Sequence, residues 1–360
     1  MKKIRVSIFI IVTILLAFGT VMIYSSSGIY AHDKFHDSLF FLKRHLLFLG
    51  VGLVLSFVIL ALDRRTMKRF AKPVFFISVL LLALVLIPHL GSEISGARRW
   101  FKIGRFLFQP SELAKLTLIM YLADMLSKKG SYISDFGYGF LPALSAAGIT
   151  VGLILIQPDL GTAVALGAIA FILFFAAGVK WKYLGGTVLA ALPVIFLAVY
   201  KVSYRWKRVM AFLNPWSDPR GNGFQIIQSF LALGLGGVFG VGLGMSRQKL
   251  LYLPAAHTDF IFSIIGEELG FFGTMSVITL FILLFWQRMR VAFKSEDPYA
   301  RFLSLGISSL IAVEAAVNIG VSIGALPTKG LPLPFISYGG SSLIFHMMGI
   351  ALLLTAAKDR

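Results

Sequence analysis

Long apolar runs recur from one end of the chain to the other, and they constrain its fold more than any other feature. They lie at about 6–24, 45–62, 74–90, 106–126, 138–156, 160–179, 183–201, 259–286, 300–326 and 337–357. A helix needs about 20 such residues to cross the hydrocarbon core of a bilayer. The runs are continuously apolar and do not alternate with period two, so they predict helices and not the strands of a barrel. Composition agrees. Of 360 residues, 58% are hydrophobic, only 14% are charged and none is cysteine, and mean hydropathy is +0.85. These values exclude a disordered chain, a water-soluble globule and a disulfide or thiolate-metal scaffold. The expected fold is an all-α integral membrane protein. Its ten transmembrane helices form one membrane domain over 1–360, with a large structured extracytoplasmic loop, 202–258, between helices 7 and 8.

Positive charge in short loops sets orientation. Lys2, Lys3 and Arg5 precede the first run, which reads as an uncleaved anchor because no small-x-small site precedes Ser25-Ser26-Ser27. Arg64, Arg65, Lys68, Arg69 and Lys72, then Lys128 and Lys129, Lys180 and Lys182, and Arg288, Arg290 and Lys294 mark further loops of the same parity. Both termini are therefore expected in the cytoplasm. The net charge is +18, and much of it falls on the opposite side, where the rule expects little. One group there is Arg98, Arg99, Lys102 and Arg105; another is Lys201, Arg205, Lys207 and Arg208, followed by Arg220, Arg247 and Lys249; Lys329 stands alone in the last outer loop. Outer loops tolerate some basic residues, but clusters fit a polyanion handled at that face, such as a lipid diphosphate. Nucleic acid fits poorly, since basic groups lie on both sides and no soluble domain is available to hold it.

Polar residues in or beside the spans are few. Glu112 and Lys115, three apart on one helical face after Gln109-Pro110-Ser111, can pair. Glu267, Glu268 and Glu314 lie inside spans, where a carboxylate marks function or holds helices together by hydrogen bonds; for Glu314 the second is expected. Asp159 follows Gln157-Pro158 and is placed to cap the sixth helix. In the long loop, Gln225 to Leu235 reads as a helix, and Gly236, Gly240 and Gly244 are spaced for close packing. The loop ends Ala255-Ala256-His257-Thr258-Asp259-Phe260, so a carboxylate meets the mouth of a span. Either helix capping or chemistry would hold it there. The last outer loop combines three prolines with Lys329, Ser337, Gly339 and Gly340. The histidines show no metal-ligand spacing, and no phosphate loop of the nucleotide type is present.

Five motifs together resemble the SEDS family of bacterial membrane proteins (shape, elongation, division and sporulation) over essentially the whole chain. They are Gly96-Ala97-Arg98-Arg99-Trp100, Gln109-Pro110-Ser111-Glu112-Leu113-Ala114-Lys115, and Gln157-Pro158-Asp159-Leu160-Gly161-Thr162. The others are His257-Thr258-Asp259-Phe260 with Glu267-Glu268-Leu269-Gly270, and Ser337-Tyr338-Gly339-Gly340-Ser341-Ser342. Pro327-Thr328-Lys329-Gly330 and Ser246-Arg247-Gln248-Lys249 look more like the division members than the elongation members. The resemblance implies ten helices and a peptidoglycan glycosyltransferase that polymerises lipid II outside the cytoplasmic (inner) membrane. It implies Asp259 as the essential acidic residue and Glu112 with Lys115 as a buried pair. It also implies a class B penicillin-binding protein and other division proteins as partners. Family members often carry Glu two residues before the motif's His; here that residue is Ala255.

The residues fit that chemistry. Glycosyl transfer from a lipid diphosphate needs a base for the attacking hydroxyl and cations for the leaving group. Asp259 is the expected base. Lys329, Arg98, Arg99, Arg205 and Arg208 are the expected diphosphate ligands, with His257, Thr258 and Ser337 beside the substrate. No cofactor is expected. A magnesium or manganese ion would shield the diphosphate, but the sequence shows no cage for it. A lipid II flippase would use much of the same material, as would a non-catalytic scaffold of the division machinery. Against the flippase, no internal repeat is evident and the polar motifs lie to one side of the membrane.

Overall fold

The computed structural model describes residues 2–94, 96–104, 106–250 and 252–357. Arg105 lies outside them. The chain is mostly helical: α1 (Lys2–Phe35), α2 (Phe40–Ala61), α3 (Arg64–Leu84), α4 (Pro110–Lys129), α5 (Leu141–Ile156), α6 (Leu160–Ala176), α7 (Trp181–Tyr200), α8 (Ser203–Leu213), α9 (Phe224–Gly236), α10 (Ile261–Lys294), α11 (Pro298–Ser322) and α12 (Gly340–Ala356). A single π-turn, Phe136–Phe140, leads into α5. Among the described residues, six helical segments are long and apolar enough to cross a membrane: α1, α2, Phe136–Ile156, α7, α10 and α11. Helices α6, α9 and α12 are apolar but shorter.

The expectation of an all-α chain needs correction. Residues 92–108 form a small antiparallel sheet, β1 (Ser92–Ile94), β2 (Ala97–Ile103) and β3 (Phe106–Phe108), in the order β1-β2-β3. Arg98-Arg99-Trp100-Phe101-Lys102-Ile103 is too short for a span and mixes large apolar with cationic side chains, which suits a half-buried strand. Arg288, expected in a loop, is instead fully buried within α10.

The core is built mainly by α4, α10, α11 and α12. Helix α12 packs against α2, α10 against α11, α1 and α9, and α4 against α3 and α11. Helix α7 buries only Leu184 and projects apolar side chains on its remaining faces, as a lipid-facing helix must. Asp159 caps α6 by accepting from Thr162 N (3.2 Å) and Thr162 Oγ1 (2.9 Å).

Helix α10 is broken at Gly270, whose φ of +66° only glycine adopts without strain. A break frees backbone groups that lipid cannot satisfy. The segment after α9 supplies them: Phe271 N donates to Gly237 O (2.9 Å), while Val241 N and Gly242 N donate to Glu267 O and Glu268 O (both 3.0 Å). Gly236, the last residue of α9, and Gly240, in the irregular strap after it, permit close approach to the α10 backbone at Gly266 and Glu268, whereas Gly244 has no neighbour that close. Side chains add two clamps. Glu267 accepts from Ser246 Oγ and from Arg247 N (2.8 Å). Buried Lys249 Nζ meets Glu268 Oε1 at 2.7 Å, and Ser25 Oγ from α1 donates to the same carboxylate. The strap that runs on to Asp259 is thus fixed to α10 and α1.

Candidate active site

Asp259 stands two residues before α10, at the end of a tight turn. Ala255 adopts φ +59°, and its carbonyl accepts from Thr258 N (3.1 Å) and Phe260 N (3.3 Å). The segment between α11 and α12 lies directly on this turn. Ser337 Oγ donates to Thr258 O (2.6 Å) and accepts from Leu333 N (2.8 Å), and Tyr338 N donates to His257 O (2.9 Å). Asn318 Nδ2, from α11, donates to both Asp259 O (2.9 Å) and Leu331 O (2.8 Å). Two motifs about eighty residues apart are therefore hydrogen-bonded into one unit. Gly330 makes room for the carboxylate: a Cβ there would stand 3.2 Å from Asp259 Oδ2.

Asp259 opens on a cavity of about 350 Å³ shared with Arg44, Arg99, Glu112, Asp159, Thr258 and Tyr338. Burial pushes the Asp259 carboxyl up to about 6, against the pull of the Arg208 guanidinium. A carboxylate titrating there holds a proton more readily than a solvated one, which suits a general base. Burial pushes the His257 imidazole down to about 4, so its ring is neutral near pH 7. Burial also lowers Lys329, while nearby Asp159 favours its charged form.

The expected site residues distribute unevenly. Arg99 and Thr258 line the cavity with Asp259. Arg99 is anchored there, donating to Gln157 O (2.8 Å) and Pro158 O (2.5 Å) with Asp159 at 3.9 Å. Arg208, on α8, faces Asp259 electrostatically and donates to Thr328 O (3.2 Å). Lys329 packs its stem near Gly161 at the start of α6. Ser337 holds the two motifs together. The His257 ring sits among Phe41, Tyr30 and Tyr338, with centroids 4.5, 5.5 and 5.9 Å away. Arg98 pairs with Glu93 across β1–β2 at 3.2 Å, on the exposed side of the sheet. Arg205 donates to Ala198 O (2.7 Å) at the end of α7. Among the described residues no three His, Asp or Glu side chains gather at metal-binding spacing.

Three features escaped the sequence reading. Arg44, in the first turns of α2, lines the cavity together with Tyr338. Asn318 was legible only as an amide inside a span. The Glu112–Lys115 pair (2.8 Å) is part of a larger group, because Lys115 also donates to Glu314, whose other oxygen meets His346 Nε2. His346 Nδ1 lies 2.7 Å from Ser342 O and 3.1 Å from Ser342 Oγ.

Comparison with known proteins places this geometry in a family. A family model described as cell cycle protein (FtsW/RodA/SpoVE) matches residues 5–360. The chain is 48% identical over 345 residues to the "Probable peptidoglycan glycosyltransferase FtsW" of Trichlorobacter lovleyi, covering 96% of this chain and 91% of that one. It is 44% identical over 349 residues to "Stage V sporulation protein E" of Bacillus subtilis, covering 97% and 95%. Among solved structures, it resembles a chain described under "Structural coordination of polymerization and crosslinking by a peptidoglycan synthase complex", with TM-score 0.80 and 36% identity over 97% of this chain and 96% of that chain. It also resembles the rod shape determining protein RodA of Thermus thermophilus, with TM-score 0.74 and 32% identity over 98% and 96%. With its apolar helices and this similarity along its whole length, the chain is a multi-pass membrane protein that belongs to the FtsW/RodA/SpoVE family of cell cycle proteins.

Proposed function

We propose that the protein is a peptidoglycan glycosyltransferase that polymerises lipid II during cell division, with Asp259 as its general base. The observation that carries this reading is the buried Asp259 carboxylate on a cavity lined by Arg44 and Arg99 and faced by Arg208. The relatives named FtsW support the division role over an elongation one. The acceptor sugar's 4-hydroxyl oxygen attacks the anomeric carbon of the donor, and Asp259 takes the hydroxyl proton. The bond from that carbon to the diphosphate breaks, and undecaprenyl diphosphate leaves. The donor link is α and the new link β, so one displacement with inversion suffices. Diphosphate leaves without protonation, which removes the need for the second carboxylate that glycosidases use as acid. Arg99, Arg44, Arg208 and Lys329 stabilise the departing charge. A magnesium or manganese ion, where one takes part, would enter as the diphosphate's counter-ion.

The accompanying topology has ten crossings, both termini in the cytoplasm and Asp259 at the extracytoplasmic face, with 202–258 as the large outer loop. Basic residues at the ends of α4 and α10 and the start of α3 support it by the positive-inside rule. A class B penicillin-binding protein is the proposed partner, supported by the neighbour whose description couples polymerisation with crosslinking. The test is polymerisation of lipid II by the purified protein in detergent, with and without that partner. Detergent has no sides, so glycan strands favour the polymerase, and their absence under both conditions favours a flippase or scaffold.

A further inference from the structure

We infer that Glu112 is a second carboxylate of the reaction cavity, a substrate-binding residue for the lipid-linked saccharide, and that Glu314 and His346 are positioning residues that keep it available. The inference rests on the function proposed above. Glu112 lines the same cavity as Asp259, and its Oε2 is buried without a hydrogen-bond partner among the described residues. A buried acceptor left unpaired is destabilising, so its persistence points to a partner that arrives from outside. Its companion Oε1 is engaged by Lys115 at 2.8 Å.

The geometry explains why Lys115 does not take both oxygens. Its ammonium is shared with Glu314, and Glu314 is in turn held by His346. His346 is itself fixed on both sides, with Nδ1 against Ser342 O and Oγ and Nε2 against Glu314. The chain of contacts leaves Oε2 unpaired on a residue that lines the cavity.

The chemistry of the wall identifies the ligand group. Trp100, from β2, lines the same cavity as Gln109 and Glu112. A cavity that offers a large ring together with amide and carboxylate acceptors suits a sugar, which presents an apolar ring face with hydroxyl and acetamido N–H donors around it. A diphosphate would be repelled by Glu112, so this wall takes the saccharide while the arginines take the diphosphate.

The test uses the full-length protein in detergent with lipid II as the probe. Lipid II affinity is measured by native mass spectrometry and polymerisation in parallel. Glu112→Gln keeps shape and an acceptor for Lys115 but puts an NH₂ or a neutral oxygen at the cavity. The dissociation constant is expected to rise at least tenfold, the range of a charge-assisted hydrogen bond, with the loss falling on KM more than on kcat. Glu314→Gln frees Lys115 to close on Glu112 and should weaken binding similarly. The double variant should be no worse than Glu112→Gln alone, because both changes act through one oxygen. Unchanged affinity in Glu112→Gln, or independent multiplication of the two effects, overturns the inference. If Glu112→Gln fails to insert, Glu112→Asp, which keeps the charge but withdraws it, must weaken binding for the inference to stand. A wild-type protein that binds lipid II without polymerising it overturns the proposed function alone, since the affinity comparison still decides the role of Glu112.

Discussion

Replacing Asp259 by asparagine should abolish chemistry while making the protein more stable, and the two effects should follow the same titration. Burial raises the Asp259 carboxyl from its ordinary value of 3.8 to about 6. The folded state therefore binds its proton more tightly than the unfolded state does. At pH below 4 the group is neutral in both states and carries no penalty. As pH rises from about 4 to 6 the unfolded chain ionises first, and folding loses stability; above about 6 the loss is complete. Its size is on the order of 3 kcal/mol. Asparagine is neutral throughout. Thermal unfolding of Asp259→Asn in detergent should thus match the parent near pH 4 and exceed it by a few degrees at pH 7–8. Lipid II polymerisation should fall by about 10²–10⁴-fold at pH 7.5. In the parent protein, polymerisation should rise with pH through about 6, as the base deprotonates. A stability difference independent of pH, or an asparagine variant less stable than the parent at pH 8, would refute the buried-carboxylate argument. Normal polymerisation by the variant would refute the assignment of the base.

Other substitutions probe the supports. Gly330→Ala places a methyl group 3.2 Å from Asp259 Oδ2 and should lower kcat at least tenfold with little change in melting temperature, measured in the same polymerisation and unfolding assays. Asn318→Ala removes the two donors that hold Asp259 O and Leu331 O, and should cost about 1–3 kcal/mol for the acceptors left bare, read by thermal unfolding, together with activity. Lys249→Met leaves Glu268 buried with only the Ser25 hydroxyl, and should destabilise by about 3–5 kcal/mol, whereas Lys249→Met with Glu268→Leu should recover most of that loss. His257→Phe keeps the ring cluster of Tyr30, Phe41 and Tyr338 and should retain more than a tenth of wild-type polymerisation.

The helices were legible because a bilayer filters sequence so strongly. Only long apolar segments that satisfy their own backbone can cross it, so the runs at 45–62, 160–179 and 300–326 correspond closely to α2, α6 and α11. Breaks were harder to see. The run at 259–286 gave no sign that α10 bends at Gly270, since the groups that rescue the bend come from 237–242, a separate part of the chain. The sheet over 92–108 was hidden for a similar reason. Its strands are three to seven residues long, and their pairing is a matter of register that composition does not carry.

The candidate site divides the same way. Sequence alone identified Asp259 as a carboxylate at the mouth of a span and Glu112 with Lys115 as a pair three residues apart, because desolvation makes such groups rare and local spacing makes such pairs meet. It could not choose among Arg98, Arg99, Arg205 and Arg208, whose shared charge looks alike in one dimension. Tertiary structure separated them. Arg99 lines the cavity, anchored on the turn before α6, whereas Arg98 pairs with Glu93 across β1–β2. It also brought in Arg44, Asn318, Glu314 and His346 from helices distant in sequence. Local chemistry determined which groups are costly to bury; only the packing of the helices determined which partners meet them.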